Sequence, residues 1–134
     1  MHDRWIEEDG LKTFASENGC GLIAFSPLAQ GLLTDKYLRG IPENSRIKKD
    51  GRFLKESAIT KERLEQIEAL NQIAKERGQT LAQMALSWVI RDGDVTSVLI
   101  GASSPEQIKE NVKIVENTAF TQEELDAIDS ISKK

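Results

Sequence analysis

Apolar positions recur along this chain with two different periods. Leu64, Ile67, Leu70, Ile73 and Ala74 fall on one helical stripe, which predicts an amphipathic helix capped by Thr60 and stopped by Gly78. A second helix is predicted at once: Thr80 and Gln83 make a T-x-x-Q capping box, Leu81, Met84, Ala85, Trp88 and Val89 supply the apolar face, and "RDGD" ends it. Ser104 as N-cap, Pro105 at N1 and Gln107 at N3 predict another start, with Ile108, Val112 and Val115 facing inward. The last helix opens on a Thr121–Glu124 capping box, with Phe120 and Leu125 placed for a hydrophobic staple. Near the N-terminus, Leu11, Phe14 and Ala15 share a face over residues 7–18, closed by the glycine of "ENG". "CGLIAF" and "VTSVLIG" break this periodicity. The first is short and apolar on both faces, as a buried parallel strand is, and the second is rich in β-branched residues.

The predicted order is helix, strand, long loop, helix pair, strand, helix, helix. Strands separated by helices pair in parallel, so the fold class is α/β. From Thr34 to Ile59 there is little periodicity, and Gly40, Pro42, Asn44 and Gly51 mark a long polar excursion of the kind that serves function or stays disordered. Two parallel strands do not make a stable sheet. They require further strands that this sequence does not contain.

Composition narrows the picture. The 134 residues suit about one domain, 30% are charged, and no apolar run approaches a membrane span. "MHDRWIEEDG" has no hydrophobic targeting core, so the cytoplasm is the expected location. A net charge of −4 argues against a nucleic-acid partner held by phosphate neutralisation, and against reading the helices around Gly78 as a DNA-binding helix-turn-helix. The single cysteine, Cys20, excludes an intrachain disulfide and a multi-cysteine metal site; its place between two glycines at the start of a strand predicts a small buried residue.

Candidate chemistry lies after the two strands, where parallel α/β folds bind ligands. In "GASSPEQ" the small residues admit a ligand to the backbone, and the first N–H groups of the helix suit an anion such as phosphate. Ser103 and Ser104 add hydroxyls. The alternative is that Ser104 only caps the helix. In "FSPLAQGLLTDKY", Ser26 stands at the strand tip, and Gln30, Gly31 and Lys36 offer donors to a second anionic group. Its alternative is an ordinary junction with a solvated lysine. Together the two units suggest one ligand held between two loops.

Four blocks, "FSPLAQGLLTDKY", "GIPENSR", "LAQMALSWVI" and "VTSVLIGASSPEQIKENV", resemble the aldo-keto reductases. The likeness is to the branch of bacterial glyceraldehyde-3-phosphate-type reductases and potassium-channel β subunits. It implies a (β/α)8 TIM barrel, of which residues 1–134 form a C-terminal portion: strands 7 and 8 with flanking helices, an incomplete barrel. It also implies NADP(H) as cofactor, small aldehydes or ketones as substrates, and reduction by hydride transfer. By resemblance, Ser26, Leu28, Gln30, Gly31 and Lys36 line the pyrophosphate, with Arg46 reaching over it from the long loop. Ser103 and Gln107 hold the 2′-phosphate end, and Glu110 and Asn111 the adenine.

Three positions depart from the family pattern. Ala102 and Gln107 stand where many members carry lysine and arginine, and Asp35 stands where glycine is frequent. The family's catalytic tyrosine, lysine, aspartate and histidine belong to the upstream part of the barrel. Here the only tyrosine is Tyr37 and the only histidine is His2, neither in a catalytic context. The alternative is therefore a non-catalytic nucleotide-binding or interaction module of the channel β-subunit type. With its sheet unaccompanied, the isolated chain is expected to be marginally stable or to self-associate.

Overall fold

The structure, a computed structural model, describes residues 4–38, 40, 41, 43, 57 and 59–132. Most of the predicted polar excursion, with Arg46, and also His2, lie outside the described residues. The elements are α1 (Trp5–Glu8), α2 (Leu11–Glu17), β1 (Leu22–Phe25), α3 (Lys61–Glu76), α4 (Leu81–Ile90), β2 (Val95–Leu99), α5 (Pro105–Val112) and α6 (Gln122–Ser132). Short 3-10 turns stand at Ala29–Gly31, Asp35–Tyr37 and Lys113–Glu116.

Local chemistry sets the starts of the later helices. Thr60 Oγ1 accepts from the Arg63 N–H at 3.2 Å to open α3. The reciprocal box at α4 is complete: Gln83 N–H donates to Thr80 Oγ1 at 3.1 Å and Thr80 N–H to Gln83 Oε1 at 2.9 Å. The box at α6 is complete too, with Glu124 N–H on Thr121 Oγ1 at 3.2 Å and Thr121 N–H on Glu124 Oε2 at 2.8 Å. Phe120 and Leu125 both pack against the core, as the staple requires.

That core sits among helices rather than under the sheet. Leu32, Leu33 and Tyr37 meet Ile67, Leu70 and Ala74 of α3, Leu81, Met84, Ala85 and Trp88 of α4, and Ile128 of α6. Arg77, just beyond α3, fastens the approach to α6. Its side chain is 4% exposed and donates to Glu124 (2.5 Å), Gln79 (3.0 Å), Asn117 (3.2 Å) and the Ala119 carbonyl (2.9 Å), while its guanidinium lies 3.7 Å from the Phe120 ring centroid.

A second charged cluster fixes α1. The guanidinium groups of Arg4 and Arg91 stack on the Trp88 ring at 4.7 and 3.9 Å, and Glu7 bonds both of them, at 2.8 and 2.6 Å. Burial pushes the Glu7 carboxyl up, but the hydrogen bonds and charges of Arg91 and Arg4 outweigh it and hold the group below its ordinary range. Asp92 follows the same logic: burial raises it, and the bond and charge of Lys12 bring it below. Burial lowers Lys12, and its bonds to Asp92 and Asp94 leave it raised.

β1 and β2 form a two-stranded parallel sheet. Leu22 pairs with Val95 but Ile23 with Ser97, so Thr96 is an extra residue in β2; beyond it the ladder runs evenly to Phe25 opposite Leu99. A side chain on Gly21 would begin 2.8 Å from Thr96 Oγ1, so the bulge is accommodated by a glycine on the facing strand. One face of the sheet is open: Ile23, Phe25 (80% exposed) and Leu99 (60%) stand uncovered among the described residues. A hollow of about 500 Å³ runs along β1, lined by Trp5, Leu11, Leu22 and Trp88 among others, and the buried Trp88 Nε1 has no hydrogen-bond partner.

Three expectations are corrected. The helix over residues 7–18 is two helices, because Gly10 adopts φ 80° and breaks the ladder before Leu11; Phe14 is exposed and only Ala15 of its face is buried. Cys20 is exposed rather than buried, since the strand begins after it, at Leu22. Ile108, Val112 and Val115 are also exposed; the chain tightens into a 3-10 turn at Lys113, and Ile114 turns inward instead.

Candidate functional site

The first loop leaves β1 through strained backbone. Ser26, Ala29 and Gln30 have φ of 51°, 47° and 59°, and Gly31 follows at 98°. For residues bearing a Cβ this costs about 1–2 kcal/mol each, so the surroundings must enforce it. They do so through backbone bonds from Ala29 N–H to Ser26 O (3.0 Å), Gly31 N–H to Leu28 O (2.9 Å) and Leu33 N–H to Leu28 O (3.2 Å), and through burial of Leu32 and Leu33 in the core. Thr34 then donates to Gly31 O at 2.7 Å and accepts from Lys36 N–H at 3.3 Å, which fixes the turn that carries Lys36.

The second loop leaves β2 at the same level, because Phe25 and Leu99 are paired. At its end the Gln107 N–H donates to Ser104 Oγ at 3.3 Å, so Ser104 does cap α5. Pro105 has no N–H, which leaves Glu106 N–H as the backbone donor of that turn. Gln107 turns its Oε1 back to accept from Ser103 N–H at 2.7 Å and from Ser103 Oγ at 3.1 Å. An oxygen held by a backbone N–H fixes the amide's orientation, and the Gln107 NH₂ faces away as a free donor.

Between the loops lies a cleft of about 980 Å³. Ser26, Leu28, Gln30, Gly31 and Lys36 line it from one side, and Ser103, Gln107, Glu110 and Asn111 from the other. The structure thus brings nine of the ten candidate residues to one space; the tenth, Arg46, lies outside the described residues. Lys36 is the only cation among the described lining residues, against Asp35, Glu106 and Glu110; the Glu110 carboxylate is itself bound by Lys113 Nζ at 2.7 Å. Gln30 lines this cleft, and its own Oε1 is buried with no hydrogen-bond partner.

Sequence reasoning missed several contributors. Thr80 and Ala82 at the start of α4 also line the cleft, although Thr80 reads from the sequence only as a cap. Tyr37, the only tyrosine, borders the cleft but is buried in the core against α3. Among the described residues there is no group of three or more His, Cys, Asp or Glu placed to hold a metal ion, and no helix long and apolar enough to cross a membrane.

Comparison with known proteins defines the class. The model of the aldo/keto reductase family matches residues 1–133, and the chain belongs to that family. It is 51% identical over 130 residues to L-glyceraldehyde 3-phosphate reductase of Escherichia coli O157:H7, covering 95% of this chain and 38% of the relative. It is 42% identical over 117 residues to a putative voltage-gated potassium channel subunit beta of Schizosaccharomyces pombe, covering 84% of this chain and 34% of the relative. Among solved structures, the glycerol dehydrogenase of Gluconobacter oxydans superposes with a TM-score of 0.73 at 30% identity, over 96% of this chain and 38% of that one. The chain therefore spans about two fifths of the length of these relatives.

Proposed function

We propose that this chain is the cofactor-binding, C-terminal part of an NADP(H)-dependent aldo-keto reductase that reduces aldehydes or ketones. The observation that carries the reading is the convergence, in one cleft, of residues from two loops far apart in sequence. The dinucleotide supplies the hydride when bound. This chain's residues hold and orient it: Lys36, with Gln30 and the Gly31 backbone, at the pyrophosphate; Gln107 Nε2 and Glu106 N–H at the adenosine 2′-phosphate, with Ser103 beside it holding the Gln107 amide in place; Asn111 and Glu110 at the adenine. The donors fit a polyphosphate on the Lys36 side, and the acids suit the hydroxyls and amine of a nucleoside. Reaction chemistry requires a proton donor, and the buried Tyr37 is not placed to serve. The exposed face of Ile23, Phe25 and Leu99 supports self-association of the chain on its own, which sedimentation would show as mass rising with concentration and Phe25→Lys would reduce.

The test of the nucleotide site is fluorescence titration of NADPH into the chain. Saturable binding that weakens at least several-fold in Lys36→Met and in Asn111→Leu supports it; binding indifferent to both changes refutes it. A second reading, a nucleotide-binding module of the channel β-subunit kind, draws on the 42% identity to that relative. Binding without turnover, even when the upstream part of a reductase barrel is supplied, would favour it.

A further inference from the structure

Gln83 does more than complete the capping box of α4. Its Oε1 accepts from Thr80 N–H at 2.9 Å, and its Nε2 donates to the main-chain carbonyl of Glu110, on α5, at 2.8 Å. The side chain is a buried amide, 7% exposed, with both ends engaged. Glu110 O also accepts from the Lys113 N–H, at the point where α5 passes into the 3-10 turn. Gln83 therefore grips α5 at the residue whose own side chain, with those of Gln107 and Asn111, lines the cleft; its capping partner Thr80 lines the same cleft from α4.

We infer that Gln83 is a positioning residue for nucleotide binding, setting the placement of α5 against the first loop through the Glu110 carbonyl. The inference rests on the cleft being the nucleotide site. Gln83 touches no ligand and acts through the helix it holds. A residue of the same size that can only accept would keep the cap and lose the grip.

Gln83→Glu makes that separation. Its carboxylate still accepts from Thr80 N–H but faces the Glu110 carbonyl with no proton to donate. At about pH 8, NADPH should bind the variant about five- to tenfold more weakly than the unsubstituted chain, the loss of one buried hydrogen bond with its acceptor stranded. At about pH 5 the carboxyl, pressed towards neutrality by burial and the facing carbonyl, regains a donor, and the ratio to the unsubstituted chain should shrink towards one. Gln83→Met, which cannot donate at any pH, should stay weak at both. Glu124→Gln, which loosens the Arg77 anchor away from the cleft, should lower the melting temperature and leave NADPH affinity unchanged. Equal affinity of the unsubstituted chain, Gln83→Glu and Gln83→Met overturns this inference alone. Failure of the unsubstituted chain to bind NADPH overturns the reading of the cleft and this inference with it. An affinity loss in Gln83→Met matched by Glu124→Gln at equal destabilisation reduces Gln83 to a structural role and also overturns it.

Discussion

Gln107→Arg should shift the preference of the cleft towards NADPH, for a reason visible in the hydrogen bonds around Ser103. In the present chain Gln107 offers one neutral NH₂ to a 2′-phosphate, because its oxygen is taken by Ser103 N–H at 2.7 Å and Ser103 Oγ at 3.1 Å. Arginine cannot accept a hydrogen bond, so the substitution adds a charge and releases both Ser103 donors at once. A neutral donor contributes about 0.5–1.5 kcal/mol net and a charged one about 1.5–3, so the exchange alone is worth about 1–1.5 kcal/mol. The released donors add up to about 1 kcal/mol, while exposure of Ser103 and Gln107 screens the charge and takes back part of the gain. The net of about 1.4 kcal/mol is a tenfold rise in the ratio of NADPH to NADH affinity. Titration of both nucleotides into both proteins, at low and at high salt, measures it. The reasoning fails if NADH binds as tightly as NADPH to the unsubstituted chain and arginine leaves the ratio unmoved. It fails equally if the gain is indifferent to salt, since the charge would then not face the phosphate.

The purified chain should not reduce carbonyl compounds. The family resemblance puts the general acid in the upstream part of the barrel, and with it a rate contribution of roughly 10²–10⁴-fold; steady NADPH oxidation on adding an aldehyde would contradict this. Arg77→Ala should destabilise the fold by about 3 kcal/mol, the lower end for breaking a buried pair because Glu124 can rehydrate; a chemical-denaturation loss under about 1 kcal/mol would show that water replaces the anchor freely. Acid should destabilise through Glu7 and Asp92. Their folded-state pKa values lie below the ordinary 4.5 and 3.8, so their contribution is complete above those values and is lost as pH falls through the lower, folded ones; Lys12, raised above 10.5, contributes below that value and loses it as pH rises further. Melting temperature against pH should fall on the acid side, less steeply in Glu7→Gln; an identical acid limb in that variant would remove Glu7 from the account.

Helices α3, α4 and α6 were legible because their caps and stripes are local. Thr60, the Thr80–Gln83 pair and the Thr121–Glu124 pair bond within a few residues, and the stripes of α3 and α4 meet each other inside this chain. The face of α5 was misread for the opposite reason. Ile108, Val112 and Val115 are patterned for burial, yet the described residues include no element that covers them. Gly10 was a break hidden in a weak periodicity, and only its positive φ reveals it. The two loops were legible from small residues, a proline and a lysine after strands. The grip of Gln83 on Glu110 was not, since it joins residues 27 apart that meet only in space; the turn of the Gln107 oxygen onto Ser103 is local, four residues away, but depends on a side-chain rotamer that spacing does not specify.

The extra residue at Thr96 bears on how such a site could be rebuilt. A slip of one position along a strand moves its end by about 3.3 Å and reverses which side chains face each side of the sheet. Opposite Gly21, the irregularity takes up that slip at the start of the ladder, so that Phe25 and Leu99 finish abreast. A loop borrowed from another protein would therefore arrive at the right height only if its own pair of strands carried the same offset. The smallest transplantable unit is not either loop but the paired strands with their bulge, from Gly21 to the first loop and from Val95 to the second.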